Sequence, residues 1–257
     1  QESLAGRVAL LHMSPLSQRE IIGADCIPFT TNMNVLMDEC KKIAPVDTPT
    51  IFERIWRGSM PGIVSGLYAD RNMYYSSYLS TYVERDVRDI SGTVDALKFN
   101  RFITAVAART AQLLNYHALA EDAEIDMVTA KAWVDILETL GIIFLLHPYS
   151  NNVLKRTIKT PKVYFYDTGL VCYLTKWSSP EVAESGAMSG ALLENFTVSE
   201  ILKGYQNTGR EPYLYFYRDR DAKEIDVIME GDGKLCPLEI KKNCHSRQAY
   251  HSHIRRD

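Results

Sequence analysis

At Gly141 the chain changes period, and that change limits its possible folds more than any other feature. Ahead of it, apolar residues recur every three to four positions. Phe102, Val106 and Ala107 mark a helix over roughly 98–113, Ala118 and Leu119 a short one, and Val128, Trp133, Ile136, Leu137 and Leu140 a third. Glycine is a common stop just past a helix. Behind it, Ile142–Leu146 is β-branched and aromatic, Pro148-Tyr149-Ser150-Asn151-Asn152 supplies a turn, and Lys162–Tyr166 alternates like a strand. Three short helices followed by a two-stranded hairpin predict a winged helix-turn-helix.

The flanks read differently. Residues 1–50 are mixed, with an apolar stretch at Val8–Leu11, then Ser14-Pro15-Leu16-Ser17, and a turn at Pro45–Pro49; from Ile51 the pattern is helical. Asn72–Asp89 carries Tyr74, Tyr75, Tyr78, Leu79, Tyr82 and Val83 at helical spacing, a stripe expected to pack helix on helix. Past Trp177 a helix over about Gly190–Tyr205 precedes strands at Leu214–Tyr217, Ile225–Met229 and Leu235–Ile240. Gly231-Asp232-Gly233 makes a tight hairpin between the last two. The expected class is α+β, in three parts: 1–95 helical, 96–175 the winged helix-turn-helix, and 176–257 a helix with a three-stranded sheet.

Composition narrows the function classes. The longest apolar run, Ile142–Leu146, is far short of the roughly 18–20 residues that a spanning helix needs. Gln1-Glu2-Ser3-Leu4 has neither an initiator Met nor a signal pattern, so a cytoplasmic protein with no membrane contact is expected, read as an internal stretch of a longer chain. Five cysteines (26, 40, 172, 236, 244) without a C-x-x-C predict reduced thiols rather than a disulfide framework or zinc site. A formal charge of −3 argues against coating nucleic acid over a whole surface, though not against a local basic patch.

The chemically suggestive residues lie in the last part. Asp226 starts one strand, and Glu239-Ile240-Lys241 ends its hairpin partner. Period-two alternation puts Glu239 and Lys241 on one face, and antiparallel pairing brings Asp226 to the same end. Two carboxylates can hold Mg²⁺ against a phosphodiester, with the lysine orienting water or stabilising the oxyanion. A third carboxylate is expected from the preceding helix. Glu194 lies at the border of its apolar arc, while the rival Glu200 lies inside it and needs a partner, either a metal or a lysine. The same residues also suit plain cross-strand ion pairing.

A second signal is basic. Asn152–Lys162 carries Lys155, Arg156, Lys159 and Lys162 with no acid, beside a helix bearing Thr129 and Lys131. Such a wing suits DNA phosphates, or else an acidic protein surface or its own domain. Other leads fail. Gly204–Glu211 imitates a phosphate loop but has Arg-Glu where Lys-Ser/Thr is required, and it follows a helix rather than a strand. His245, His251 and His253 fall in an expected tail.

Four phrases together resemble a known family. They are Leu4-Ala5-Gly6-Arg7-Val8 with Pro15-Leu16-Ser17 and Glu20; Tyr82-Val83-Glu84-Arg85-Asp86-Val87; Asn151-Asn152 with Lys155-Arg156 and Lys162-Val163-Tyr164-Phe165-Tyr166-Asp167-Thr168-Gly169-Leu170; and Leu193-Glu194-Asn195-Phe196 with Glu224-Ile225-Asp226 and Leu238-Glu239-Ile240-Lys241. The chain is similar over nearly its whole length to the C-terminal region of prokaryotic AAA-type ATPases with a trailing domain of unknown function. The resemblance implies a winged helix plus a PD-(D/E)xK restriction-endonuclease-like core, with Glu194, Asp226, Glu239 and Lys241 at the nuclease-motif positions and an ATPase domain as partner. Two departures stand out: no G-x-x-x-x-G-K-[ST] is present, so no ATP binding through that motif is expected, and after Lys241 the core lacks its last helix and strand. Two expectations follow: a Mg²⁺-dependent DNA endonuclease module, or a non-catalytic DNA- or protein-binding arm of an ATPase.

Overall fold

The computed structural model describes residues 13–83, 85, 87, 95–150, 160–219, 221, 223–231 and 234–242. Its helices start where short polar side chains can take up free backbone amides. Asn32, Asp47, Asp70, Asp95, Asn115 and Asp126 cap α2 (Met33–Lys42), α3 (Thr48–Arg57), α5 (Arg71–Tyr78), α6 (Ala96–Ala108), α7 (Tyr116–Ala123) and α8 (Met127–Thr139). Short α1 (Gln18–Ile21) and α4 (Pro61–Val64) complete the N-terminal part, and α5 runs into a wider helical turn over Leu79–Val83. Of the tyrosine stripe, Tyr75 is fully buried, with Tyr74 and Tyr78 packed beside it.

The first sheet has strand order β1-β3-β2, all antiparallel, from β1 (Gln112–Leu113), β2 (Ile143–Leu146) and β3 (Lys162–Phe165). The expected helix over 98–113 stops short, at Ala108. Ala111 takes a left-handed φ of 61°, its N–H donates to Val163 O at 2.8 Å, and the chain turns into β1. Nor does β3 alternate between core and solvent, because it is the central strand and both its faces are covered. Val163 and Phe165 lie in the helical core, while Tyr164 lies in a second core with Phe144, Val198, Ile201, Phe216, Val227 and Met229.

After α9 (Thr168–Leu174) and α10 (Pro180–Ser185), the long α11 (Ser189–Gln206) packs on β3. The meander β4 (Tyr213–Arg218), β5 (Glu224–Gly231) and β6 (Lys234–Leu238) forms the second antiparallel sheet. The architecture is α+β, and one sheet serves as a wall shared by two cores. Cys26, Cys40, Cys172 and Cys236 are free thiols. Among the described residues no helix is long and apolar enough to cross a membrane.

Candidate functional site

At one end of the second sheet, ionisable side chains from α11, β3, β4, β5 and the segment after β6 meet. Asn195 sets the geometry from α11. Its buried amide accepts from Phe165 N at 2.7 Å and donates to Phe165 O at 2.8 Å, so it fastens the helix to the β3 backbone. Its neighbour Glu194 then faces β3. Glu194 Oε1 accepts from Lys162 Nζ at 2.9 Å and from the Tyr164 hydroxyl at 2.6 Å. Burial pushes the Glu194 carboxyl up, with Lys162 and Tyr164 opposing.

Strand β5 adds Glu224 and Asp226. The pairings Tyr215 with Ile228 and Tyr217 with Ile225 leave Phe216 alone opposite both Asp226 and Val227. The Phe216 backbone bonds instead to His147 O and Tyr149 N, so β5 carries a bulge there. A bulge lets Asp226 turn to the same side as buried Val227, toward Glu194. Glu224 pairs with Lys162 and, at 3.0 Å, with Arg218. Burial disfavours the Lys162 ammonium, yet Glu194 and Glu224 outweigh it and hold its pKa above that of ordinary lysine.

Glu239 and Lys241 lie just beyond β6, which ends at Leu238 rather than Ile240. The backbone still returns to β5, because Ile240 N–H donates to Asp226 Oδ2 at 2.8 Å. Lys241 stands 3.7 Å from Glu239 with 62% of its side chain exposed. Burial, and then the neighbouring Asp226, push the Glu239 carboxyl up. Asp226, Glu239 and Lys241 therefore share one sheet end, with Glu194 across from them. Glu200 does not join them. Six residues along a helix is about 120° round the axis, and its carboxylate accepts from Gln18 N at 2.6 Å and from Lys203 Nζ at 3.1 Å.

Divalent magnesium needs several oxygen donors facing one point. Here Glu194 Oε1 already accepts from two donors, Glu224 is held by two cations, and Asp226 Oδ2 is used by the backbone. No group of three His, Cys, Asp or Glu among the described residues is placed to hold a metal ion. As they stand, these carboxylates do not fit Mg²⁺.

Only part of the basic set can be placed. Lys155, Arg156 and Lys159 lie outside the described residues. Lys162, expected on a solvent face of the hairpin, is only 2% exposed and turned toward acids, because both faces of β3 are covered. Thr129 accompanies the α8 cap, donating its hydroxyl to Asp126 at 2.7 Å. Lys131 is exposed, its ammonium 5.6 Å from the Tyr116 ring centre. Sequence reasoning missed Glu224, Tyr164 and the inward turn of Lys162. Only the two-residue step from Glu224 to Asp226 hinted at the first.

The Tyr-Phe-x-Asp-Thr-Gly-Leu phrase builds something else. Buried Asp167 accepts from Ser59 N at 3.0 Å, Gly169 N at 3.1 Å and Tyr75 OH at 2.7 Å. Thr168 Oγ1 donates to Ile55 O, and the Arg71 guanidinium donates to Trp56 O and Gly169 O. Gly58 has a φ of 84°, and a Cβ on Gly169 would fall 2.6 Å from Gly58 Cα. This lock joins α3 and α5 to the exit of β3.

The profile of the domain of unknown function DUF8612 matches residues 48–181, and that of the domain of unknown function DUF4143 matches residues 189–256. Over 243 residues the chain is 26% identical to the uncharacterized protein Rv2008c of Mycobacterium tuberculosis and to the uncharacterized protein Mb2031c of Mycobacterium bovis. That alignment covers 94% of this chain and 48% of each relative, so the chain spans about half their length. No solved structure matches.

Proposed function

The chain belongs to the DUF8612 family, and on that premise we propose that it is a non-catalytic, protein-binding arm of an AAA-type ATPase-family protein, a winged helix joined to a nuclease-like module. The order α6-β1-α7-α8-β2-β3, with antiparallel β2 and β3, supports the winged-helix part. The order acid on α11, Asp226 on β5, then Glu239 and Lys241 after β6 supports the nuclease-like part.

One observation carries the preference for a protein partner. In a winged helix the third helix is the one that would enter a DNA groove. Here the open face of α8 presents Met127, Val128, Lys131, Ala132, Asp135 and Glu138, with Val128 78% exposed. One cation against two acids repels phosphate, whereas exposed apolar residues favour a protein surface.

A Mg²⁺-dependent DNA endonuclease with a basic wing is the second reading. The meeting of Asp226, Glu239 and Lys241 favours it, and so does the run Lys155, Arg156, Lys159 in the sequence. It requires the carboxylates to release their present partners. Plasmid incubated with the protein plus Mg²⁺ or EDTA, alongside anisotropy titration of a labelled duplex, separates the two. The arm reading expects intact plasmid in both and no saturable duplex binding at physiological ionic strength. Mg²⁺-dependent nicking that disappears in Asp226→Asn overturns it.

A further inference from the structure

Lys162 is buried at the start of β3, under α11 and against β5. Its ammonium touches Glu194 and Glu224 and lies 5.6 Å from the Phe216 ring centre. The set is closed on both sides: Glu194 also accepts from Tyr164, and Glu224 from Arg218. Two cations, Lys162 and Arg218, thus face the two carboxylates Glu194 and Glu224. A buried charge persists when paired and hydrogen-bonded on every side, and breaking such a pair leaves an uncompensated partner.

We infer that Lys162 is the resident cation of this carboxylate site, standing between Glu194 and Glu224 where a divalent metal would otherwise have to sit. Glu194 and Glu224 therefore serve a lysine. The clamp joins the first sheet to β5, and Lys162 positions both acids from a strand that the nuclease-like module does not itself contribute. The inference stands on these ion pairs alone and holds whatever partner the arm takes.

Metal rescue tests it, with Mn²⁺ or Mg²⁺ alone as the probe. The wild-type Tm should not move with either ion. Lys162→Met should unfold at a lower temperature, and Mn²⁺ should restore several degrees, because binding to the native state alone raises Tm. The rescue should vanish in Lys162→Met combined with Glu194→Gln. Should Lys162→Met not fold, ammonium-detected ¹⁵N NMR of the wild type gives a second reading. The clamp expects a slowly exchanging Lys162 signal that Mn²⁺ and Mg²⁺ leave in place. A metal-dependent rise in wild-type Tm that Glu194→Gln abolishes, or displacement of that lysine signal by Mg²⁺, would overturn the inference. So would a Lys162→Met protein as stable as wild type and indifferent to metal.

Discussion

Strand β3 carries a buried charge near each end, and the two are held in opposite ways. Asp167, just past its C-terminal end, is satisfied by two backbone amides and a tyrosine hydroxyl from three separate segments. Lys162, at its N-terminal end, is satisfied by two carboxylates. An anion held by fixed amides has one arrangement available, since those donors cannot turn elsewhere. A lysine among acids has exchangeable partners, and its surroundings open outward through Glu224, Glu239 and Lys241. The first arrangement builds a joint between helices and sheet. The second gathers ionisable groups that can change partners.

The largest expected effect tests the joint. Asp167→Ala strands the buried Ser59 and Gly169 amides, each costing about 1–3 kcal/mol when unsatisfied, and leaves the Tyr75 hydroxyl with its longer bond to Arg57 O at 3.3 Å. Urea unfolding should show a loss of about 3–5 kcal/mol. Asp167→Asn keeps a carbonyl acceptor and should lose less. A loss below about 1 kcal/mol in Asp167→Ala would mean that water replaces the carboxylate as acceptor, and the contrast with Lys162 would fail.

Much of this contrast was not legible in the sequence. Helical spacing before Gly141 and the apolar runs after it revealed the order of elements, because period follows from backbone geometry. The hairpin expected at Gly231-Asp232-Gly233 likewise put Asp226 at the Glu239–Lys241 end; Asp232 and Gly233 lie outside the described residues, while β5 and β6 pair up to Gly231 with Lys234. The two-residue β1 left no trace, since the left-handed Ala111 that starts it carries no glycine signal. Lys162 read as a wing cation because a lysine next to a polar turn normally faces water. Only the later α11 and β5, packed on the second face of β3, bury it. Glu200 needed a metal or a lysine as partner and found Lys203, along with a backbone amide from a segment 182 residues away that no local pattern announces.

A middle-sized effect sharpens the lysine side. Glu194→Gln keeps an acceptor for Tyr164 but removes one of the two charges facing Lys162, and should cost about 1–3 kcal/mol. Lys241→Ala removes a mostly exposed cation, and should change stability by no more than about 0.5 kcal/mol. Both are read from urea midpoints at constant slope. Equal losses would make Lys241, rather than Lys162, the organising cation of the site.

The smallest effect concerns Glu239. Burial raises its carboxyl first, then the negative charge of Asp226, with a smaller push from Glu224. A raised carboxyl means that the native state holds its proton more tightly than the unfolded chain does. Its contribution therefore favours folding at low pH and is lost as pH rises from the ordinary glutamate value of 4.5 through the native one. Asp226→Asn removes the second cause and leaves the others. A ¹³C-detected carboxyl titration should show Glu239 moving down in the variant while staying above an ordinary glutamate, with Lys241 still 3.7 Å away in the parent geometry and opposing the rise. An unchanged midpoint would mean that the two carboxylates do not sense each other. The shared sheet end would then be two independent acids, and the endonuclease reading would keep only the basic run of Lys155, Arg156 and Lys159 in its favour.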